Sequence, residues 1–447
     1  MDTRKFLIIA GAALGIFIIL VLILVFVAKP KTPKESTLTI WNLDDDKTAF
    51  SRLITDFQNS HPQVKVEYIQ KDPQDYFNNV LTEIAKGSGP DVLAIPNDWL
   101  PKYHDLFSPL PQNKIQNAKQ KKSDLDVYQE TFPQVATDDN IINQKIYGMP
   151  LSIDTLGLYY NPELLSQAFE DYRKTQTEIS APTRQIFNAG PKNWDEFRQA
   201  VQIITQKSGK NIILSGAALG INENVKDSPD ILTALMLQFG AKMTTDDFSS
   251  ALFHTAQNQF DGENFPGTAA LNFYASFANP EDENYTWNTS FPEAVEAFAE
   301  EKTAMLIAYD SAKKDLKRLN PSLNFALIDL PQVKATAHPL NFASYNTFAV
   351  NKTSANTDLA WDFIVLMTSR DYARDYQTET GKPPAILRQI DKEKPAYTAR
   401  SWFKPDPQKA DDIFREMISG VNSGQAAQTA IEAAAAQITE LLGEIKK

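Results

Sequence analysis

Hydrophobic and polar residues follow two different periods along the first part of the chain. Residues 38–41 form a short apolar run, and residues 64–69 alternate strictly between apolar and polar, as a half-buried strand does. Residues 50–57 and 76–85 carry apolar side chains at helical spacing, and a third apolar run follows at 91–95. This alternation of strands and helices predicts an open α/β sheet, whose ligand site should lie outside the carboxyl ends of its strands.

The rest of the chain is richer in helical patterns, with strand patterns returning after its middle. The predicted elements are helices that begin at 193 and that cover 230–239, 291–299 and 426–442, with strands at 304–308, 325–328 and 347–350. The sequence contains no internal repeat and no coiled-coil heptads. We therefore expect a non-repeating α/β protein rather than a solenoid or a bundle.

The N-terminal segment differs from the rest because residues 6–28 contain no charge. As a helix this segment would be roughly 34 Å long, enough for a hydrocarbon core of about 30 Å. A cleavable signal peptide has a shorter apolar stretch and small residues before the cut, whereas Phe26 and Val27 precede Ala28. We predict one retained transmembrane helix, with residues 1–36 as anchor and tether, and a cleaved signal peptide as the alternative. Basic residues flank both ends, so charge gives no orientation.

Composition and charge narrow the classes of function. A chain of 447 residues is too long for one compact core, and 43% hydrophobic with 22% charged residues is ordinary globular composition. The absence of cysteine excludes disulfides, thiolate zinc sites, cysteine nucleophiles and a lipid-modified N-terminal cysteine. A formal net charge of −12 makes nucleic acid an unlikely partner, because such a surface repels phosphate backbones.

The sequence offers little that indicates catalysis. The four histidines are far apart and lack the spaced partners of metal motifs, and no nucleophile elbow occurs, so we predict neither a metal nor a cofactor. The sharpest acidic cluster is residues 44–46, directly after the first predicted strand. These acids either begin a helix, where its dipole favours them, or reach a ligand at the sheet edge. We predict a binding protein and not an enzyme.

Several segments, read in order, resemble the extracellular solute-binding proteins of carbohydrate ABC importers, the group that includes maltose-binding protein. The segments are LTIW at 38–41, GPDV at 89–92, DWL at 98–100, LP at 110–111, YGMPLSIDT at 147–155, PKNWDEF at 191–197, KTAM at 302–305, AWDF at 360–363 and TGKPP at 380–384. The segment at 147–155 is the most specific of them. Each match is weak alone, but their order from residue 37 to about 390 carries the resemblance.

The resemblance implies a two-lobe, periplasmic-binding-protein-like α/β fold of the class II type, with a ligand cleft between the lobes. Three segments would cross between lobes, near residues 151–154, near Pro331 and near 382–385. Lobe one would comprise 37–152 plus 332–383, and lobe two 153–331 plus 384–447. The lobes would close around the ligand by a hinge motion.

The same resemblance implies a function. The protein would be a monomer on the extracytoplasmic side of the cell membrane, held there by the N-terminal helix. It would bind an oligosaccharide and deliver this small molecule to the permease subunits of an ABC transporter. The alternatives are a non-sugar solute such as a peptide or a polyamine, a role as a membrane-anchored sensor, and, more remotely, an anchored glycan hydrolase.

Sugar recognition calls for fixed polar groups for the hydroxyls and aromatic faces for the apolar side of the ring. The candidates that the resemblance places near the cleft are four acids and four aromatic residues: Asp45, Asp46, Asp98, Asp154, Trp287, Tyr309, Tyr345 and Trp402. Where many relatives carry Gly-Ser-Trp, this chain has YDS at 309–311, and it has NFASY at 341–345 where many carry a Gly-Gly pair. The identity of the sugar therefore does not transfer.

Overall fold

The structure is a computed structural model that describes residues 35–43, 45–209, 211–259, 262–333, 339–386 and 399–444. The predicted transmembrane segment at 6–28 lies outside these residues. Within the described ranges, no helix is both long enough and apolar enough to cross a bilayer.

The described chain contains short strands throughout, which are numbered in chain order. They are β1 (Ser36–Asn42), β2 (Val64–Gln70), β3 (Val92–Pro96), β4 (Phe107–Ser108), β5 (Ile141–Ile142), β6 (Lys145–Ile146), β7 (Gly148–Pro150), β8 (Asp154–Tyr160), β9 (Gln206–Ser208), β10 (Asn211–Leu214), β11 (Gln257–Gln259), β12 (Gly262–Asn264), β13 (Met305–Tyr309), β14 (Ala326–Asp329), β15 (Asn341–Ser344), β16 (Asn346–Asn351) and β17 (Ala399–Arg400).

Helices separate and follow these strands. The α-helices are Ser51–Ser60, Pro73–Lys86, Leu100–Tyr103, Asp124–Thr131, Gln134–Asn140, Pro162–Thr175, Ala181–Ala189, Trp194–Ile204, Ser228–Phe239, Pro266–Ser276, Ala294–Ala299, Ala312–Leu319, Thr357–Met367, Arg370–Thr380, Pro407–Asn422 and Ala427–Glu444. Short 3-10 helices cover Lys47–Phe50, Asn97–Trp99, His104–Leu106 and Ala118–Gln120. The helices predicted at 230–239 and 426–442 are confirmed to within a few residues.

The first sheet has the strand order β2-β1-β3-β16-β4, with β7 also paired to β16. Strand β1 runs parallel to β2 and β3, whereas β16 is antiparallel to β3. Alternation in β2 buries Val64 and Val66 and exposes Lys65, as its pattern predicts. β3 is buried along its whole apolar run, since it lies inside the sheet with a neighbour on each side. The open α/β sheet predicted for this part of the chain is confirmed.

The second sheet is built around β8. Strands β13 and β14 both pair antiparallel with β8, and β15 pairs with its first two residues. Strand β17 then extends this sheet by pairing parallel with β15. The two sheets pack into separate apolar cores, the second of which also receives the last two helices, Pro407–Asn422 and Ala427–Glu444. The molecule therefore has two α/β lobes.

In the part of the chain that the structure describes, the backbone passes between the lobes at three places. The first is the link of residues 151–153 between β7 and β8. The second is Tyr345, which separates β15 of the second sheet from β16 of the first. The third ends near Ser401, because Ser401 still bonds Asp139 of lobe one, whereas Trp402 packs in the second core.

Two of the predicted boundaries are therefore displaced. The second crossing falls at Tyr345 and not near Pro331, because β15 stays hydrogen-bonded to β8 in lobe two and Asn341 donates to the carbonyl of Leu156 at 2.6 Å. At the third crossing, Ala385 and Ile386 still pack in the core of lobe one, so this lobe extends beyond residue 383. Strand pairing fixes the second boundary and core packing the third, and both join residues far apart in the sequence, where local patterns carry no information.

Candidate ligand cleft

A cavity of about 410 Å³ lies between the two lobes. Its lining residues come from both sides: Asn42, Asp45, Leu151, Ser152, Asp154, Lys226, Ser311, Ser344, Tyr345, Asn346, Phe348, Tyr376 and Lys382. The volume falls in the usual range of about 300–1,000 Å³ for small-molecule sites. The position matches the expectation that a sheet of this kind binds its ligand outside the carboxyl ends of its strands.

Asp45 forms part of the wall that lobe one contributes. It follows β1 closely, and its carboxylate accepts hydrogen bonds from the Lys382 ammonium at 2.8 Å and from the Tyr376 hydroxyl at 2.7 Å. The Tyr68 hydroxyl donates to the backbone carbonyl of Asp45 at 2.6 Å. Asp45 is thus held in one orientation and its charge is balanced. Oriented, neutralised groups of this kind can offer remaining lone pairs to ligand hydroxyls.

Lys382 owes its place to the end of the preceding helix. Gly381 adopts a left-handed conformation with φ of 73°, which ends the helix Arg370–Thr380. The backbone then carries Lys382 back over the cavity, where its side chain remains 28% exposed while that of Asp45 is 10% exposed. The Lys382 ammonium has three donors, and one of them pairs with Asp45 at the wall of the cavity.

Asp154 faces Asp45 from lobe two. It is the first residue of β8, where it pairs with Ser344, and its carboxylate accepts from the backbone N–H of Ser311 at the long distances of 3.3 and 3.4 Å. Burial raises the pKa of Asp154 to about 6, against the lowering effect of the Ser311 contacts, and the nearby Asp310 raises it further. Asp154 therefore places a carboxylate on the wall that lobe two contributes to the cavity.

The aromatic surface of the cavity comes from lobe one. Tyr345, Phe348 and Tyr376 all line it, and each is largely buried by the core behind. The hydroxyl of Tyr345 donates to Asp139 at 2.7 Å, so its polar end is held away from the cavity. Lobe one therefore provides apolar ring surface, whereas the lining residues of lobe two are polar or charged.

Lys226 brings a positive charge from lobe two. It precedes Asp227 at the start of the helix Ser228–Phe239. Burial raises the pKa of Asp227 to about 7, with Asp230 adding to the rise and Lys226 opposing it. The lining residues thus carry two acids, Asp45 and Asp154, and two lysines, Lys226 and Lys382, so their formal charges cancel.

The structure brings three of the eight sequence-predicted site residues, Asp45, Asp154 and Tyr345, to this cavity. Asp46 instead caps a short helix, accepting from the backbone N–H of Thr48 at 2.8 Å. Asp98 is buried at the junction of the lobes and accepts from the backbone N–H of Lys404 at 3.3 Å.

The other three predicted aromatic residues also lie away from the cavity lining. Trp287 is fully buried in lobe two, stacked 4.3 Å from Phe291. The hydroxyl of Tyr309 donates to Asp230 at 2.7 Å, and Trp402 packs against Phe414 in the second core. These three side chains fill the interior of lobe two in this structure.

Sequence reasoning missed several lining residues. Asn42 ends β1 and could have been found from its place at a strand's carboxyl end. Lys382 lies within the motif at 380–384. We interpreted this motif as a crossing between the lobes and did not expect its lysine to line the ligand site. No sequence pattern marked Lys226 or Tyr376 as a site residue. Each lies at or within a helix and not at the end of a strand, which is where the ligand site was expected.

Comparisons with known proteins agree with this architecture. Residues 41–374 match the family model described as bacterial extracellular solute-binding protein. The chain is 20% identical to the galactooligosaccharide-binding protein of Bacillus subtilis over 356 residues, which cover 79% of this chain and 73% of that protein. It is 22% identical to the multiple sugar-binding protein of Streptococcus mutans, covering 80% of this chain and 78% of that one.

A solved structure shows the same fold. The sugar-binding protein MalE from Xanthomonas citri superposes with a TM-score of 0.69 at 18% sequence identity, covering 92% of this chain and 98% of that chain. The match extends over both lobes, so the arrangement of two lobes around a cleft is shared.

Proposed function

We propose, from the premise that this chain belongs to the family of bacterial extracellular solute-binding proteins, that it binds an oligosaccharide in the cleft between its lobes. The observation that carries the proposal is the composition of the cleft, which combines aromatic surface and amides from lobe one with carboxylates, lysines and hydroxyls from both lobes. Sugars present hydroxyls that need oriented donors and acceptors, and apolar ring faces that pack against aromatic side chains. Its relatives include a galactooligosaccharide-binding protein and a multiple sugar-binding protein, which supports this ligand class.

The proposal extends to location and partners. Residues 6–28 act as a retained membrane anchor, with the two lobes on the extracytoplasmic side as a monomer. The loaded, closed form delivers the sugar to the permease subunits of an ABC transporter. Support for the anchor comes from the length of the uncharged segment and from the lack of a cysteine for lipid attachment.

Thermal unfolding with a glycan panel tests the ligand class. A ligand that binds only the folded state at about 100 times its Kd stabilises that state by about 2.7 kcal/mol, so its melting temperature should rise. We expect such a rise with galactooligosaccharides or maltooligosaccharides. A rise with peptides or polyamines alone would instead assign a non-sugar solute. Chromatography of the incubated sugar should show no products, and cleavage would assign a hydrolase.

Replacing Asp154 by alanine should weaken oligosaccharide binding by about 30-fold, because a hydrogen bond to a charged group contributes about 2 kcal/mol. The fold should remain intact, since the hydrogen bonds from the Ser311 backbone N–H to this carboxylate are long, at 3.3 and 3.4 Å. Isothermal titration measures the affinity. Asp46→Ala is the matched control, because Asp46 is also an acid near a strand end but caps a helix instead of lining the cavity. Equal affinity in wild type and Asp154→Ala would remove Asp154 from the site.

A further inference from the structure

Asp139 stands at the meeting point of the two later crossings. It lies near the end of the helix Gln134–Asn140 and is 7% exposed. One carboxylate oxygen accepts from the Asn97 amide at 2.7 Å and from the Tyr345 hydroxyl at 2.7 Å. The other accepts from the Ser401 hydroxyl at 2.7 Å. Three donors from three distant segments thus converge on one buried side chain.

Two of these donors belong to crossing segments. Tyr345 is the residue at which the chain passes from β15 to β16, and Ser401 directly follows β17 at the third crossing. Asn97 reinforces the first of them, because its backbone N–H donates to the carbonyl of Tyr345 at 3.0 Å and its side-chain oxygen accepts from the Tyr345 N–H at 3.3 Å. Asp139 therefore ties both crossings to the body of lobe one.

The same contact reaches the cavity. Tyr345 lines it, and the preceding residue, Ser344, pairs with Asp154 on β8. A change in the position of Tyr345 therefore moves ring surface in lobe one and the strand beside Asp154 in lobe two together.

We propose that Asp139 is a positioning residue that fixes Tyr345 in the cleft and holds the two later crossings, and so sets the angle between the lobes before a ligand binds. Its effect on ligand affinity rests on the proposed function, whereas its effect on the angle between the lobes does not. The carboxylate is suited to this role because charge-assisted hydrogen bonds are shorter and stronger than neutral ones. An alanine here would leave the buried donors of Asn97 and Tyr345 and the partly buried hydroxyl of Ser401 without this acceptor, which is costly away from water.

Interlobe distances measure the effect without a ligand. The chain contains no cysteine, so Asn59→Cys in lobe one and Ser166→Cys in lobe two, both exposed helix positions, accept a pair of spin labels without background. We expect Asp139→Ala to broaden or shift the distance distribution between the labels in sugar-free protein, and Asp139→Asn to restore part of the wild-type distribution. Asp105→Ala is the charge control, because the Asp105 side chain is 90% exposed. An unchanged distribution in Asp139→Ala would overturn the proposal.

A double-mutant cycle separates positioning from general destabilisation. Tyr345→Phe keeps the ring in the cavity and removes only the hydroxyl, which donates a hydrogen bond to Asp139. We expect Asp139→Ala alone to bind the sugar about tenfold more weakly than wild type. If Asp139 acts through Tyr345, the two changes are not additive, and the double variant should bind the sugar no more weakly than Asp139→Ala alone. Additive losses would contradict positioning through Tyr345. Should Asp139→Ala fail to fold, Asp139→Asn replaces it in the cycle, and Ser401→Ala tests the third crossing in the distance measurement.

The response to pH gives an independent readout. Burial raises the pKa of Asp139 to about 6, while the hydrogen bonds from Tyr345, Asn97 and Ser401 lower it. The titratable and charged groups around it are Asp98, Asp138 with its partner Arg400, Tyr128 and Tyr345. Protonation removes the charge that the three donors share. The wild-type distance distribution should therefore broaden between about pH 7.5 and pH 5, and Asp139→Asn should show a smaller response. An equal response in both proteins would assign the titration to another group and overturn this part of the proposal.

Discussion

Lowering the pH from about 8 to about 5 is expected to raise the free energy of unfolding by several kcal/mol, because buried carboxyl groups of this protein are easier to protonate when it is folded. Burial raises the pKa of Asp98 and Asp227 to about 7, and that of Asp139 and Asp154 to about 6, from an ordinary value of 3.8. Between these values the folded state binds more protons than the unfolded state. Stability is therefore highest on the acidic side of this window and is lost as the pH rises through 6 to 7.

Other carboxyl groups oppose this trend only in stronger acid. Exposed acids such as Asp46 and Asp126 have a lowered pKa, because backbone and side-chain hydrogen bonds favour their charged forms. Their contribution is lost only below about pH 4, in the range of their ordinary values. Urea unfolding at several pH values measures the effect. Asp98→Asn combined with Asp227→Asn should flatten the dependence, and Asp46→Asn is the exposed control. Stability that stays level or rises between pH 5 and pH 8 would contradict the prediction.

Removing the charge of Lys404 is expected to cost about 3–5 kcal/mol of folding free energy, the usual effect of breaking a buried ion pair from one side. Lys404 is 8% exposed, and its ammonium donates to Asp230 at 2.8 Å and to Asp411 at 2.7 Å. Burial alone would lower the pKa of Lys404, but the two carboxylates outweigh it and raise that pKa. Without the lysine, both acids lose the cation that compensates their burial.

The comparison of Lys404→Ala with Lys404→Met measures how much of this loss is charge, because methionine keeps most of the apolar stem. Lys409→Ala is the control, because Lys409 pairs with Asp406 at the surface with 61% of its side chain exposed, and such pairs contribute about 0–1 kcal/mol. Replacing Asp230 and Asp411 by asparagine in the Lys404→Met background should recover part of the stability. Urea unfolding measures the loss of folding free energy. A loss for Lys404→Ala no larger than that for Lys409→Ala would contradict a stabilising role for the buried ion pairs of Lys404 with Asp230 and Asp411.

The elements of the fold could be predicted where neighbouring residues carry the pattern. The alternation in β2 and the apolar run of β3 are local signals, and the structure has strands at both places. The pairing of β15 with β8 joins residues that lie far apart in the sequence, so no local pattern reveals it. That pairing is the reason for the displaced second crossing at Tyr345.

The site could be predicted in part for a related reason. Asp45 and Asp154 lie at ends of strands that border the cleft, where position in the chain indicates position in the fold. Asp98 also follows a strand, but it does not line the cavity. At the end of this strand, Asn97 and Tyr345 hydrogen-bond to each other, and Asp98 lies beside them at the junction of the lobes, where it accepts from Lys404. Trp287 is a residue type that often stacks on sugars. Tryptophan is equally common in apolar cores, so the sequence does not distinguish the two roles, and in the structure Trp287 is buried in the core of lobe two.

The position of β16 between β3 and β4 in the first sheet constrains how the protein can be made. Residues 346–351 complete a sheet whose other strands are synthesised far earlier, so the inner strand β3 lacks one neighbour until most of the chain exists. Long-range pairing of this kind slows folding, and the edge of β3 stays unpaired and exposed until β16 has been synthesised. Lobe one is therefore completed only after most of lobe two has been synthesised, and lobe two is completed last, by the helices Pro407–Asn422 and Ala427–Glu444. Neither lobe is complete before the last part of the chain exists, which favours a chain kept unfolded until synthesis is nearly finished.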